Sequence, residues 1–238
     1  ESSVISAKRT AASAALAARS LRGEESLATV DRVGIIGAGL INFETVRFLL
    51  ATHPHLTTLS IFDLSQERAK QFEHKCQQLS PKLTIKIVSE PKIVFRDSAI
   101  VTLATTASKP HIFELSECCK DSIILHTSLR DLSPEIILSA DNIVDDIDHV
   151  CRAETSIHLT EQQVGNRKFI RGTIGDVFNG VIPARSNTDT KLQIFSPFGL
   201  GILDLALGQL AFKLAIEQQV GTPIESFSPT SWLDRVET

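Results

Sequence analysis

Apolar residues fall into two rhythms along this chain. Short, nearly unbroken runs occur at Val33-Gly-Ile-Ile36, Thr57-Thr-Leu-Ser-Ile-Phe-Asp63, Ala99-Ile-Val-Thr-Leu-Ala104, Ser122-Ile-Ile-Leu-His-Thr127 and Asn142-Ile-Val-Asp-Asp-Ile-Asp148. Runs of this kind predict strands buried on both faces. Thr84-Ile-Lys-Ile-Val88 alternates like a further strand, and Lys191-Leu-Gln-Ile-Phe195 reads as the last. Between them the spacing turns helical. An alanine-rich helix is predicted over 3–22 with Gly23 as its stop, and another follows Gly39, with Ile41, Val46, Phe48, Leu49 and Leu50 as its apolar positions. Ser65 is placed to cap a helix that runs to Leu79 before Pro81, and a short helical crossover begins at Pro91. From His149 to about Gly180 the pattern is helical with polar interruptions. Ser196-Pro-Phe-Gly199 then turns into a strongly apolar helix ending near Gly221-Thr-Pro223. Strands alternating with helices predict an α/β chain: a Rossmann-type parallel sheet with helices on both faces.

The stretch around Gly37-Ala-Gly39 gives this pattern a chemistry. A strand that stops at Gly37 and a helix that starts after Gly39 place backbone N–H groups and a helix N-terminus where a pyrophosphate can sit. Gly37 makes the turn, Gly39 lets the backbone approach the phosphates, and Leu40 and Ile41 open the helix. The next strand ends in Asp63, 26 residues after Gly37, in the position of the carboxylate that binds the adenosine ribose. A carboxylate there repels a 2′-phosphate, so the cofactor expected is NAD rather than NADP. Asn42 stands where a third Gly or Ala is usual and weakens the match.

Composition narrows the partners. The chain has 238 residues, net charge −4 and no long block of like charge, so neither nucleic acid nor an anionic membrane is expected. No apolar stretch has the length of a membrane span and no signal peptide is visible, which predicts a cytoplasmic protein. Cys76, Cys118, Cys119 and Cys151 lack metal spacing and are expected to be reduced thiols. His149, Cys151 and His158 match no common zinc site, so no metal is expected.

Candidate chemistry gathers at the strand ends. Thr105 and Thr106 begin a loop that runs to Pro110 at the carboxyl end of its strand, where open α/β sheets bind ligands. His126 shares its strand end with Ser128, Arg130 and Asp131. Lys8, Arg9 and Thr10 interrupt the alanine face of the first helix, and Asp204 is an acid in the first turns of the last one.

Taken together, these residues resemble the ornithine cyclodeaminase/μ-crystallin family. The likeness rests on Arg9-Thr10-Ala-Ala12, Gly37-Ala-Gly39, Asp63, Thr105-Thr106 to Pro110, and Gly199-Leu-Gly-Ile-Leu-Asp204. Leu129-Arg-Asp-Leu-Ser-Pro-Glu135, Asp145-Asp146, Ile182-Pro-Ala-Arg185 and Ser196-Pro-Phe-Gly199 look most like the branch that makes 2,3-diaminopropionate for siderophores and antibiotics. The resemblance implies NAD-dependent oxidation of N-(2-amino-2-carboxyethyl)-L-glutamate to 2-oxoglutarate and 2,3-diaminopropionate. It implies a homodimer, and a substrate and dimerisation domain built largely from an N-terminal segment that precedes this chain, which has no Met and opens in what reads as a helix. On that reading residues 1–24 link to the second domain, 25–196 form the NAD-binding domain, and 197–238 return to the second.

Arg9, supported by Lys8 and Arg130, is then expected to bind substrate carboxylates. Thr10, Gly37, Gly39, Leu40, Ile41, Asp63, Thr105, Thr106, Ser128 and Asp204 are expected at the cofactor. The chain departs from the cyclodeaminases' Gly-rich loop and its catalytic aspartate, which argues against ornithine cyclisation. In that place stand His126, Arg130 and Asp131, and the acid/base role falls to His126 or Asp131. Three rival readings remain: an alanine dehydrogenase or a ketimine or pyrroline carboxylate reductase of the same family, a non-catalytic binding protein of the μ-crystallin kind, and a structural role as a dimer half.

Overall fold

A computed structural model gives the fold of residues 2–23, 30–119, 121–185 and 192–224. The connection at 24–29 and the tail from 225, including Trp232, lie outside the described residues. In chain order the elements are α1 (Ser2–Arg22), β1 (Arg32–Ile36), α2 (Leu40–Thr52), β2 (Thr58–Phe62), α3 (Gln66–Leu79), β3 (Thr84–Ile87), α4 (Pro91–Arg96), β4 (Ile100–Leu103) and β5 (Ile123–His126). They continue with α5 (Pro134–Ser139), β6 (Asp141–Val144), α6 (Ile147–Val150), α7 (Ser156–Val164), β7 (Ile170–Thr173), α8 (Ile174–Phe178), β8 (Gln193–Ser196) and α9 (Gly201–Glu217). All pair in parallel in one sheet of order β3-β2-β1-β4-β5-β8-β6-β7. Every strand therefore points its carboxyl end at the same edge.

The strands are apolar on both faces because both faces are covered. Val33, Ile35, Ile123, Leu125 and Phe195 pack with Leu21 of α1, Leu49 of α2 and Phe72 of α3. Ile36, Val101, Leu103, Ile124 and Ile194 pack on the opposite side with Val94 and Phe95 of α4, Ile137 of α5 and Ile157 of α7. Helix α1 buries Ala7, Ala11, Ala14, Ala15, Ala17 and Ala18, small side chains that permit a close approach to α2. Its last turn fixes it to the sheet, where Arg22 donates to the carbonyls of Ala99 and Asp121 at the strands' amino ends.

Two expectations need correction. The run Asn142–Asp148 is a strand only to Val144; Asp146 then caps α6 by accepting from the His149 amide. The stretch 149–180 is not wholly helical but contains β7, an edge strand of four residues. The chain divides into two compact units, Glu1–Leu200 and Gly201–Thr238. In the second, α9 carries Ile202, Leu205, Leu210, Phe212 and Ile216 at more than half exposure. None of the described helices is long and apolar enough to cross a membrane.

Asn42 does more than tolerate its place. It is fully buried, donates to the carbonyls of Ile36 and Gly37 at 3.0 and 2.7 Å, and accepts from the Thr102 hydroxyl at 2.7 Å. Asn42→Ala is expected to strand a buried hydroxyl and cost ~2 kcal/mol, read as a lower urea midpoint at unchanged slope.

Candidate functional site

The glycine turn is built from three sides. Gly37 has φ of +94°, and a Cβ placed on it would lie 2.4 Å from the carbonyl oxygen of Ala104, so any side chain there is excluded. Its N–H donates to Phe62 O at 3.0 Å, which pins β1's end to β2. Asp63 accepts from the Ala38 N–H at 2.7 Å and from the Ser65 N–H at 2.8 Å. One carboxylate thus holds both the turn and the start of α3.

The front of the turn stays open. Gly39 precedes α2 without a side-chain cap, whereas α3, α6, α7 and α8 each receive one, from Ser65, Asp146, Thr155 and Thr173. The first amides of α2 are therefore available to an anion, on the positive end of a 13-residue helix. A small cavity of about 160 Å³ lies beside them, lined by Ala38, Gly39, Leu40, Phe43, Arg68 and Lys75 among others. These features fit a dinucleotide's pyrophosphate. A larger cavity of about 630 Å³ around Arg19, Phe178 and Val181 opens near the strands' amino ends. The turn, the uncapped helix and the polar clusters are all at the other edge, so the smaller cavity marks the site.

A second cluster centres on Asp131, where β4 and β5 end. Leu129 takes φ of +74°, reversing the chain so that the backbone nitrogen of Asp131 lies 3.2 Å from His126 Nε2. The Asp131 carboxylate accepts from the hydroxyls of Thr105 and Ser128, and its Oδ2 lies 3.3 Å from His126 Nε2. His126 Nδ1 is 3.3 Å from Ser196 Oγ at the end of β8. Burial opposes ionisation of Asp131, but His126, by hydrogen bond and charge, and then the two hydroxyls outweigh it and hold the carboxyl down to about 2. His126 and Asp131 are both fully buried. The structure brings them together as expected, but neither faces solvent.

A third cluster joins α1 to β6 and β8. Asp145 accepts from the N–H groups of Phe198 and Gly199 at 2.9 and 2.7 Å. Gly199 has φ of +99°, and a Cβ there would lie 2.9 Å from a guanidinium nitrogen of Arg9. Arg9 therefore reaches the carboxyl edge of the sheet, with Lys8 and Thr10 half-buried beside it on α1.

The remaining expected residues are more scattered. Arg130 donates to Ala153 O at 2.6 Å, and Thr106 is exposed. Asp204 lies in the first turn of α9, in the second unit. All four cysteines are free, and burial pushes Cys76 up to about 12 and Cys118 and Cys151 to about 11, so none of these three supplies a thiolate at neutral pH. Among the described residues no group of three or more His, Cys, Asp or Glu is placed to hold a metal ion. Sequence reasoning missed Asp145 and Ser196 as site residues, and Arg68 and Lys75 beside the turn. Asp145-Asp146 and Ser196-Pro-Phe-Gly199 stood out only as marks of the family branch, and Arg68 and Lys75 gave no signal.

Because folding depresses the Asp131 carboxyl below its ordinary 3.8, its contribution is present above that value and lost as pH falls through about 2. On the order of 2 kcal/mol of stability is expected to disappear across that window. Urea melts at stepped pH check this; Asp131→Asn should flatten the acid slope.

Comparison with known proteins places the architecture. The family model described as "Ornithine cyclodeaminase/mu-crystallin family" matches residues 1–218. The chain is 26% identical over 231 residues to the N-((2S)-2-amino-2-carboxyethyl)-L-glutamate dehydrogenase of Staphylococcus aureus, covering 95% of this chain and 66% of that protein. The solved Δ(1)-pyrroline-2-carboxylate reductase of Thermococcus litoralis, in complex with NADH and L-proline, superposes with a TM-score of 0.81 at 24% identity, covering 92% of this chain and 68% of that one. An archaeal alanine dehydrogenase dimer with bound NAD gives a TM-score of 0.78 at 21% identity, with coverage of 92% and 66%. The chain thus spans about two thirds of the length of the proteins it matches. With its parallel sheet, its glycine turn and a family match over most of its length, the chain belongs to the ornithine cyclodeaminase/mu-crystallin family.

Proposed function

We propose that this chain carries the NAD-binding part of a dehydrogenase that oxidises a secondary amine of an amino acid, with N-(2-amino-2-carboxyethyl)-L-glutamate as its substrate. The observation that carries the reading is the open turn at Gly37–Gly39 before the uncapped α2, on the same edge as the Asp131 and Arg9 clusters. The Staphylococcus aureus relative bears the name of that dehydrogenase, and both solved neighbours hold NAD or NADH.

NAD⁺, when bound, supplies the acceptor for a hydride. The chain's own residues do the rest. The amides at the start of α2 hold the pyrophosphate, and Asp63 stands where the adenosine ribose would lie, opposing a 2′-phosphate. Arg9, seated over the Gly199 turn, offers a planar fork to a substrate carboxylate, with Lys8 in support. The loop from Thr105, tied through Asp131 to His126, shapes the ground between the two. Holding the substrate α-carbon against the nicotinamide is what converts binding into rate. We further propose a homodimer in which α9, apolar and exposed, belongs to a substrate and dimerisation domain.

Calorimetric titration of the complete protein is expected to show NAD⁺ binding at least ~tenfold tighter than NADP⁺, a difference of about 1.4 kcal/mol. Incubation with the proposed substrate and NAD⁺ should yield NADH and 2-oxoglutarate in equal amounts. Absence of dinucleotide binding would overturn the reading; NAD⁺ binding without turnover of this substrate would redirect it to alanine or to cyclic imines assayed in the reductive direction. Arg9→Ala should raise KM by roughly ten- to a hundredfold, as loss of charge-assisted hydrogen bonds worth about 1.5–3 kcal/mol requires. Gly199→Ala should act in the same direction by displacing the guanidinium.

A further inference from the structure

Removing a proton from a substrate amine requires a base that the substrate can reach. His126 cannot be reached: its side chain is fully buried, one ring nitrogen faces Ser196 Oγ and the other faces Asp131. Asp131 is equally buried, and its carboxylate already accepts from Thr105 and Ser128. A further group touches that carboxylate. His111 Nε2 lies 3.8 Å from Asp131 Oδ1, and its side chain is 48% exposed.

Its position is fixed by backbone rather than by side-chain packing. The N–H groups of His111 and Ile112 both donate to Asp131 O, at 3.0 and 2.9 Å, and the Ser133 N–H returns to Ile112 O at 3.0 Å. The loop after β4 is thereby laced to the loop after β5, with a parallel bridge between Ile112 and Leu132. The same β4 loop begins at Ala104, whose carbonyl lies against Gly37 of the dinucleotide turn. At 3.8 Å the imidazole lies beside the carboxylate's charge without a hydrogen bond to it, and its half-exposed ring is open to a proton from a substrate. Of the other charged groups on these two loops, Lys109 is exposed, Arg130 is engaged by Ala153 O, Glu114 accepts from the Ser116 hydroxyl, and Glu117 is exposed further along the loop, so of these only His111 sits against Asp131.

We infer that His111 is the catalytic base of the proposed oxidation, and that Asp131 and His126 are positioning residues beneath it. The inference rests on the reading of the site as an NAD-dependent amine dehydrogenase. In the step, the substrate's secondary ammonium gives one N–H proton to the unprotonated His111 ring. The freed nitrogen lone pair forms the C=N bond as the α C–H pair leaves as hydride to NAD⁺. Water then adds to that carbon and the C–N bond breaks, giving 2-oxoglutarate and the ammonium form of 2,3-diaminopropionate, with the first proton still on His111.

Two measurements on the complete protein test this. His111→Gln is expected to lower kcat by ~10²-fold or more and to abolish the acid limb of the pH–rate profile, while KM and NAD⁺ affinity stay within about threefold. Carbethoxylation by diethyl pyrocarbonate, followed by mass spectrometry, reads accessibility without turnover. His111 is expected to react in the free protein and to be slowed about tenfold by NADH with 2-oxoglutarate, while exposed His55, in the connection from α2 to β2, reacts at an unchanged rate. Either result going the other way overturns the inference: a variant that keeps its acid limb and its turnover, or a His111 that reacts equally with and without ligands. Wild-type protein that binds no NAD⁺ overturns the parent reading, and this one with it.

Discussion

Gly37 lies so near the carbonyl of Ala104 that a Cβ on it would meet that oxygen at 2.4 Å, and the site is arranged around this close approach. For β1 and β4 to end side by side with a loop leaving each, the first residue beyond β1 must have no side chain. Three further contacts make that choice rigid: the Gly37 N–H to β2, the Asp63 carboxylate to Ala38, and the Asn42 amide to the last carbonyls of the strand. Asn42 also accepts from Thr102 on β4, so the turn is tied to both neighbouring strands. A turn held this firmly leaves the first amides of α2 pointing at open space. That is the preorganisation an anion site needs, because the donors are oriented before the ligand arrives.

Helix α1 acts as a strut across the sheet. Arg22 at its end engages carbonyls at the amino edge, and Arg9, thirteen positions earlier, reaches the carboxyl edge over Gly199, a span of about 20 Å at ~1.5 Å per residue. Its alanine surface sets it close to α2, the helix that follows the dinucleotide turn. The group proposed to bind substrate and the amides proposed to bind cofactor are thus referenced to each other through packed helices, not through loops alone. Asp145 completes the arrangement by accepting from the two amides that shape the seat of the guanidinium.

Much of this was legible in the sequence because its signals are local. Unbroken apolar runs marked the buried strands, and glycines at 37 and 39 marked the turn. Ser65 marked a cap that the structure bears out through the Arg68 N–H. What was hidden depends on partners far along the chain. β7 is a four-residue edge strand containing a glycine, and its Arg171 pairs with Asp141 of the neighbouring strand, so it carries little apolar pattern of its own. Asn42 reads as a blemish until Thr102, sixty residues away, is seen to donate to it. His111 has no motif around it; its interest comes entirely from backbone hydrogen bonds between two loops. The acids at 145–148 were visible as a group, but only the fold separates Asp145, which holds the Gly199 turn, from Asp146, which caps a helix.

The place of β8 in the sheet has a consequence for how the molecule is assembled. It is the last strand in sequence, yet it lies between β5 and β6. Strands β3, β2, β1, β4 and β5 form one continuous half, β6 and β7 another, and among the described pairings only β8 joins them. Its pairing with β5 closes a loop of some seventy residues, a non-local contact of the kind that slows folding. During synthesis the two half-sheets would be made well before the strand that unites them, each with one buried edge left open. Ser196, which meets His126, sits at the end of that strand. The polar cluster is therefore completed by the same event that closes the sheet, so a chain that has not finished folding has no finished site.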